Sequence, residues 1–147
     1  MALNFDKFAQ EGNTFVKNLA ASLGHPEQTG HTSILLRAVL HTIRDRLEVG
    51  ESLDFLSQLP MCLKAVYVDN WKNTKTSDIE TVEEFTDEIE RRQAEYGEME
   101  FAWDKSTREL TGIVLKELGT YISSGEARHV ITQMPEQLKN LFEENLK

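Results

Sequence analysis

The sequence predicts an all-helical fold, about eight helices in two pseudo-symmetric four-helix halves packed as one compact bundle. Three observations lead there. The first is a repeat: Leu40, Ile43, Leu47, Gly50, Glu51, Gln58, Pro60, Leu63, Lys64 and Tyr67 recur as Leu115, Leu118, Ile122, Gly125, Glu126, Gln133, Pro135, Leu138, Lys139 and Phe142, each pair 75 positions apart. The second is the spacing of apolar residues, which return at steps of three and four along most of the chain, the period of a helix with one buried face. The third is that no run of alternating β-branched residues bounded by hairpin turns occurs. The repeat divides a single domain, 1–147, into halves at 1–71 and 77–147. Each half is expected to cover apolar faces of the other, because neither can bury them all alone.

The first helix carries Phe5, Phe8, Gly12, Phe15, Leu19 and Leu23 on one stripe. Asn4 is placed to cap it and Gly24 to end it, with Pro26 behind. Gly12 and Asn13 are weak helix formers that could split it. A loop from His25 to His31 leads into the core helix of the first half, about Thr32 to Leu47, with Leu36, Leu40, Ile43 and Leu47 in a narrow arc. Glu51 to Gln58 forms a short helix with Leu53, Phe55 and Leu56 as its apolar members. Pro60 opens the next, since proline at a first helical position removes no helical hydrogen bond. Leu63, Val66 and Tyr67 face inward from it. Asp69 to Ile79 is a polar connection anchored by Trp71.

In the second half, Thr81 followed by Glu84 and Ser106 followed by Glu109 have the spacing of capping boxes, in which each side chain satisfies the other residue's backbone N–H. Val82, Phe85 and Ile89 make the stripe of the first of these helices. Leu110, Val114, Leu118 and Tyr121 make that of the second. Ser123 and Glu126 form a third box, opening a helix that ends near Gln133. Pro135 opens the last helix, with Leu138, Leu141 and Phe142 inward.

Composition narrows the function. With 39% hydrophobic residues and no apolar run near the roughly 20 residues of a membrane span, no association with a membrane is expected. The N-terminus shows no basic and then apolar leader, and Cys62 is the only cysteine, so a cytoplasmic location is expected. Cys62 reads as a small core residue. The net charge of −9 excludes general nucleic-acid binding, which draws its affinity from cations on phosphates. Residues 1–75 hold 8 basic and 8 acidic side chains, and residues 76–147 hold 8 and 17. Most of the excess lies between Asp78 and Glu100, a solvated helix face or a docking surface for a protein partner with a basic surface.

The run Arg37-Ala38-Val39-Leu40-His41-Thr42-Ile43-Arg44-Asp45-Arg46-Leu47, with Gln58-Leu59-Pro60 and Trp71 shortly after the Tyr67 helix, resembles a bacterial family known as domain of unknown function 2267. The resemblance covers nearly the whole chain, from the Phe15 helix to Gln133-Met134-Pro135, where Met134 replaces the more usual leucine. It implies a small bacterial all-helical protein of duplicated halves. It carries no activity, cofactor or catalytic residue with it.

On the core helix Arg37, His41, Arg44 and Glu48 follow steps of four, three and four, one polar stripe beside the apolar arc. Arg37, His41 and Arg44 are the candidate ligand-binding residues, two guanidiniums for an anion beside an imidazole that titrates near neutrality. The plainer reading, which the sequence favours, is that the arginines lie over apolar surface and pair with acidic neighbours. The repeat replaces the three residues with Gly112, Lys116 and Gly119, and two glycines inside a helix point to the close approach of a neighbour on that face. His25, His31, His41 and His129 show no metal-ligand spacing. No glycine-rich phosphate loop, nucleophile elbow or paired cysteine motif occurs. No cofactor, metal or catalytic residue is therefore assigned. The expectation is a non-catalytic cytoplasmic helical interaction or regulatory module of uncertain oligomeric state, the alternative being a small-anion or metabolite site, or an enzyme, built on the Arg37, His41 and Arg44 stripe.

Overall fold

The structure is a computed structural model that describes residues 3–72, 77–97 and 103–146. Among these residues there are eight helices and no strand: α1 (Phe5–Ser22), α2 (Thr29–Arg46), α3 (Val49–Ser57), α4 (Met61–Val68), α5 (Val82–Glu95), α6 (Thr107–Gly119), α7 (Ser124–Gln133) and α8 (Glu136–Leu146). Asn73, Thr74 and Thr76 of the expected connection, and Glu98 and Glu100 of the acidic stretch, lie outside the described residues.

α2 lies against α1, α4 and α5, and α6 lies against α5, α8 and α1. The short helices α3 and α7 touch each other, so contacts between the first four helices and the last four run through α2–α5, α1–α6, α2–α6 and α3–α7. The apolar cluster draws on every helix. Leu19, Leu40, Phe55, Tyr67, Phe85, Leu115, Val130 and Phe142 come one from each and are completely buried. The Phe85 and Phe142 rings meet edge to face with centroids 5.6 Å apart, a favoured aromatic geometry.

Local chemistry sets the helix ends. Thr81 and Glu84 form a complete capping box, as do Ser106 and Glu109. α1 is capped by the Asn4 side chain, which accepts from the Lys7 N–H, and the chain leaves α1 through Gly24 at φ +87°. Gly12 does not split α1. It sits where α4 crosses, and a β-carbon built on it would lie 2.9 Å from Cys62 Cβ. The missing side chain is what permits the contact. α2 starts at Thr29, ahead of the expected Thr32, because Gln28 O accepts both the N–H and the hydroxyl of Thr32 and so closes a first turn before it.

The face of α6 that carries Gly112 and Gly119 is a packing groove. A β-carbon at Gly119 would stand 2.7 Å from the Leu146 carbonyl oxygen, and one at Gly112 would stand 3.1 Å from the Asn145 amide. The apolar stripes stop short of their predicted ends at two points. Tyr121 lies beyond the end of α6 and is 43% exposed, and Phe5 at the start of α1 is 70% exposed.

Candidate functional site

The Arg37, His41 and Arg44 side chains come together on one side of α2, facing the C-terminal end of α4 and the end of α5. Arg37 Nη2 donates to Asp69 Oδ2 at 3.1 Å, and its guanidinium lies 4.1 Å from the centre of the Tyr96 ring. His41 is buried between a carbonyl and a phenol, with Nε2 at 2.6 Å from Val66 O and Nδ1 at 2.8 Å from Tyr96 Oη. A carbonyl only accepts, so Nε2 carries the proton and Nδ1 accepts from the tyrosine hydroxyl. The neutral ring satisfies both partners. Burial lowers the His41 pKa to about 4; the Val66 hydrogen bond opposes the shift, and the charges of Arg44, Arg37 and Arg92 add to it.

Arg44 is 5% exposed and its donors are directed inward. Nη1 donates to the Tyr67 and Asp69 carbonyls at 3.0 and 2.9 Å, while Nε and Nη2 grip the Asp45 carboxylate at 2.8 and 3.2 Å. The Tyr67 carbonyl belongs to the last turn of α4, where helical carbonyls lack amide partners, and Asp69 is the residue just beyond it, so the guanidinium caps that helix. Trp71 closes over the group, 5.9 Å from the guanidinium carbon to the ring centre. Burial alone would raise the Asp45 carboxyl, but the hydrogen bonds and charges of Arg44 and Arg92 outweigh it and hold its pKa below the usual range.

A second constellation joins α3 and α7. Glu51, Glu126 and His129 bring one ligand-type atom each within 4.8 Å of one another. Glu126 is only 6% exposed, and one oxygen of Glu126 and one of Glu51 are sealed from solvent with no hydrogen-bond partner outside the pair. Four effects push the Glu126 pKa up to about 8: burial first, then a hydrogen bond with the Glu51 carboxyl, repulsion from Glu51 and the charge of Asp54.

The way Glu126 arrives there is a departure from the capping box read at Ser123. Ser123 Oγ accepts the Glu126 N–H at 3.1 Å, which is half of the box. The returning half is missing, because Gln58 Oε1 takes the Ser123 N–H at 2.6 Å. Gln58 thus replaces the Glu126 carboxylate as a cap and leaves it to turn inward toward Glu51. No spacing between histidines marks the trio, because two of its three members are glutamates. Two signals were present: Glu126 and His129 stand three residues apart, which puts both on one helix face, and Glu51 is the repeat partner of Glu126.

His25 is engaged elsewhere, with Nε2 donating to Asp104 Oδ1 at 3.1 Å and its ring edge-on to Trp103. Cys62 is half-buried at the α1–α4 crossing, and its thiol donates to Phe8 O at 3.1 Å. None of the described helices is long and apolar enough to cross a membrane.

A search of curated proteins returns no match to the chain. A protein-family model described as uncharacterized conserved protein (DUF2267) matches residues 12–141, which includes the α2 stripe, the Gln58-Leu59-Pro60 corner and both acidic residues of the α3–α7 contact. The chain belongs to the DUF2267 family.

Proposed function

We propose that the protein is a non-catalytic cytoplasmic interaction or regulatory module whose α5 face receives a protein partner with a basic surface. The observation that carries this reading is the outer side of α5. Glu83, Asp87 and Glu90 fall on one exposed row of this helix, opposite the buried Phe85, Ile89 and Gln93. α5 holds six carboxylates, and its two guanidiniums are already engaged: Arg91 with Glu88 and Glu95, Arg92 with Glu88 and Asp45. A row of like charges held on a rigid helix attracts a cationic surface over about a Debye length and speeds encounter.

What supports this over a small-anion site on α2 is the state of the donors there. Arg44 gives its hydrogen bonds to Asp45 and to two carbonyls, Arg37 to Asp69, and neutral His41 offers no charge. The experiment is an affinity capture from the source cytoplasm with the wild-type chain and with a Glu83→Lys, Asp87→Lys, Glu90→Lys variant at low and high salt. A basic partner held by the wild type, released by salt and lost with the variant is expected. A partner set that ignores both salt and charge reversal would falsify the reading.

A further inference from the structure

We infer that Glu51, Glu126 and His129 form a binding site for a first-row divalent cation of the zinc or manganese class, a clamp between α3 and α7. The inference is independent of the acidic face of α5 and does not depend on a partner. It starts from an anomaly of burial. A carboxylate that is nine-tenths covered keeps its charge only when cations or hydrogen-bond donors surround it, and an oxygen sealed from water without a donor is among the more unfavourable groups a fold can hold. Glu126 is 6% exposed, and neither its sealed Oε2 nor the sealed Oε2 of Glu51 has a hydrogen-bond partner outside this pair of carboxyl groups. Both point into the same contact. No arginine or lysine is paired with either carboxylate among the described residues.

The chain also releases Glu126 from its ordinary task. In the boxes at Thr81 and Ser106 the third-position glutamate turns back to the helix start, but at Ser123 that position is filled by Gln58, 65 residues away. Its side chain is therefore free for the α3–α7 contact. His129 follows three residues later on the same face of α7, with Nδ1 3.9 Å from Glu126 Oε1. A glutamate and a histidine at this spacing on a helix are the donor pair by which helical bundles hold carboxylate-bound metals. Asp54, on α3 and 75 positions before His129, lies close enough for its charge to bear on Glu126.

The geometry suits a small cation. Ligand atoms about 2.1 Å from a tetrahedral ion stand about 3.4 Å apart. The three donors already lie within 4.8 Å of one another, and His129, whose side chain is 69% exposed, has room to adjust toward the two carboxyl groups. One imidazole and two carboxylates favour zinc, manganese or ferrous iron over magnesium, which prefers oxygen alone and keeps its waters. Three protein ligands leave at least one position for water. The cation would neutralise the two carboxylates and satisfy both orphaned oxygens.

The test compares thermal unfolding of the chelator-stripped chain with and without Zn²⁺, Mn²⁺, Co²⁺ and Mg²⁺. Zn²⁺ or Mn²⁺ should raise the melting temperature by about 5 °C or more at saturation. Glu126→Gln should abolish the rise, and His129→Ala should weaken affinity at least about tenfold by calorimetry. Because the amide of Glu126→Gln keeps the shape and removes repulsion, that variant folds without metal, which circular dichroism verifies; Glu51→Gln provides a second check. Bound Co²⁺ should show visible absorption bands that His129→Ala alters. The inference is overturned if no cation raises the melting temperature, if the rise survives both Glu126→Gln and Glu51→Gln, or if Mg²⁺ matches Zn²⁺ and His129→Ala changes nothing.

Discussion

Asp45 of α2 and Arg92 of α5 meet at 2.8 Å, and the same carboxylate receives Arg44 from its own helix at 2.8 Å. One acidic side chain therefore neutralises two guanidiniums that are 5% and 12% exposed, on a seam between the first four helices and the last four. Asp45→Asn preserves the shape and deletes the charge, leaving two nearly buried cations with weaker acceptors. Stability should fall by about 3 kcal/mol, the scale seen when one member of a buried ion pair is removed. Urea unfolding of the two proteins measures it. A loss below about 1 kcal/mol would mean that Glu88, already bonded to Arg92 at 2.7 Å, is a sufficient counterion.

The helices were legible in the sequence because their signals are local. Capping pairs such as Thr81 with Glu84, the proline corner at Pro60 and the stripe of Leu36, Leu40 and Ile43 each act within one or two turns. The glycines of α6 were readable in a second way, since losing two side chains in a helix makes sense only against a close neighbour. The site was less legible, for a different reason. That Arg44 caps α4 and that His41 lies between Val66 O and Tyr96 Oη depends on how α4 and α5 cross α2. The meeting of Glu51 with Glu126 depends on Gln58 displacing a cap 65 residues away. Local spacing contains none of these crossings.

His41 makes the acid side of the stability profile predictable. Its pKa falls from an ordinary 6.5 when unfolded to about 4 when folded, so the unfolded chain binds the proton more readily. The sign follows: the contribution is fully present above about pH 6.5 and is lost as pH falls through about 4. The His41 ring signals in NMR should therefore stay those of the neutral Nε2–H form down to about pH 5. His41→Gln should be less stable than wild type at neutral pH, and the gap should narrow toward pH 4. A ring that titrates near 6.5 would rule out the buried, doubly bonded imidazole.

Glycine replacements separate packing from helix propensity. Alanine in place of an interior glycine favours a helix by about 1 kcal/mol when space permits. At Gly119 it does not, because the new β-carbon would stand 2.7 Å from a backbone oxygen of α8, and the helices must separate. Gly119→Ala should lower stability by about 1 to 3 kcal/mol. Gly30 in the first turn of α2 has nothing within 4 Å of the same point, so Gly30→Ala should be neutral or stabilising. Gly112→Ala should fall between them, since the Asn145 amide at 3.1 Å is the end of a side chain that can rotate. Equal effects at Gly119 and Gly30 in thermal unfolding would show that α8 does not press on α6 as described.

The charge asymmetry between the halves raises the question of whether complementary surfaces join one molecule to another. α2 and the acidic α5 lie against each other within the molecule, but the arginines of α2 do not pair with the carboxylates of α5. Arg37 goes to Asp69 and Arg46 Nε to the Ile79 carbonyl at 2.7 Å, while the ion pair that crosses from α2 to α5 is Asp45 with Arg92. The cations of α2 are thus engaged inside the chain and are not offered to the outward row of Glu83, Asp87 and Glu90 on a second copy. Two copies facing through α5 would repel. The expected state alone is a monomer, and its mass by light scattering should stay the same between about 0.05 M and about 1 M salt, where the screening length shrinks to about 3 Å. A dimer at low salt that dissociates at high salt would show that another basic surface of the chain engages α5.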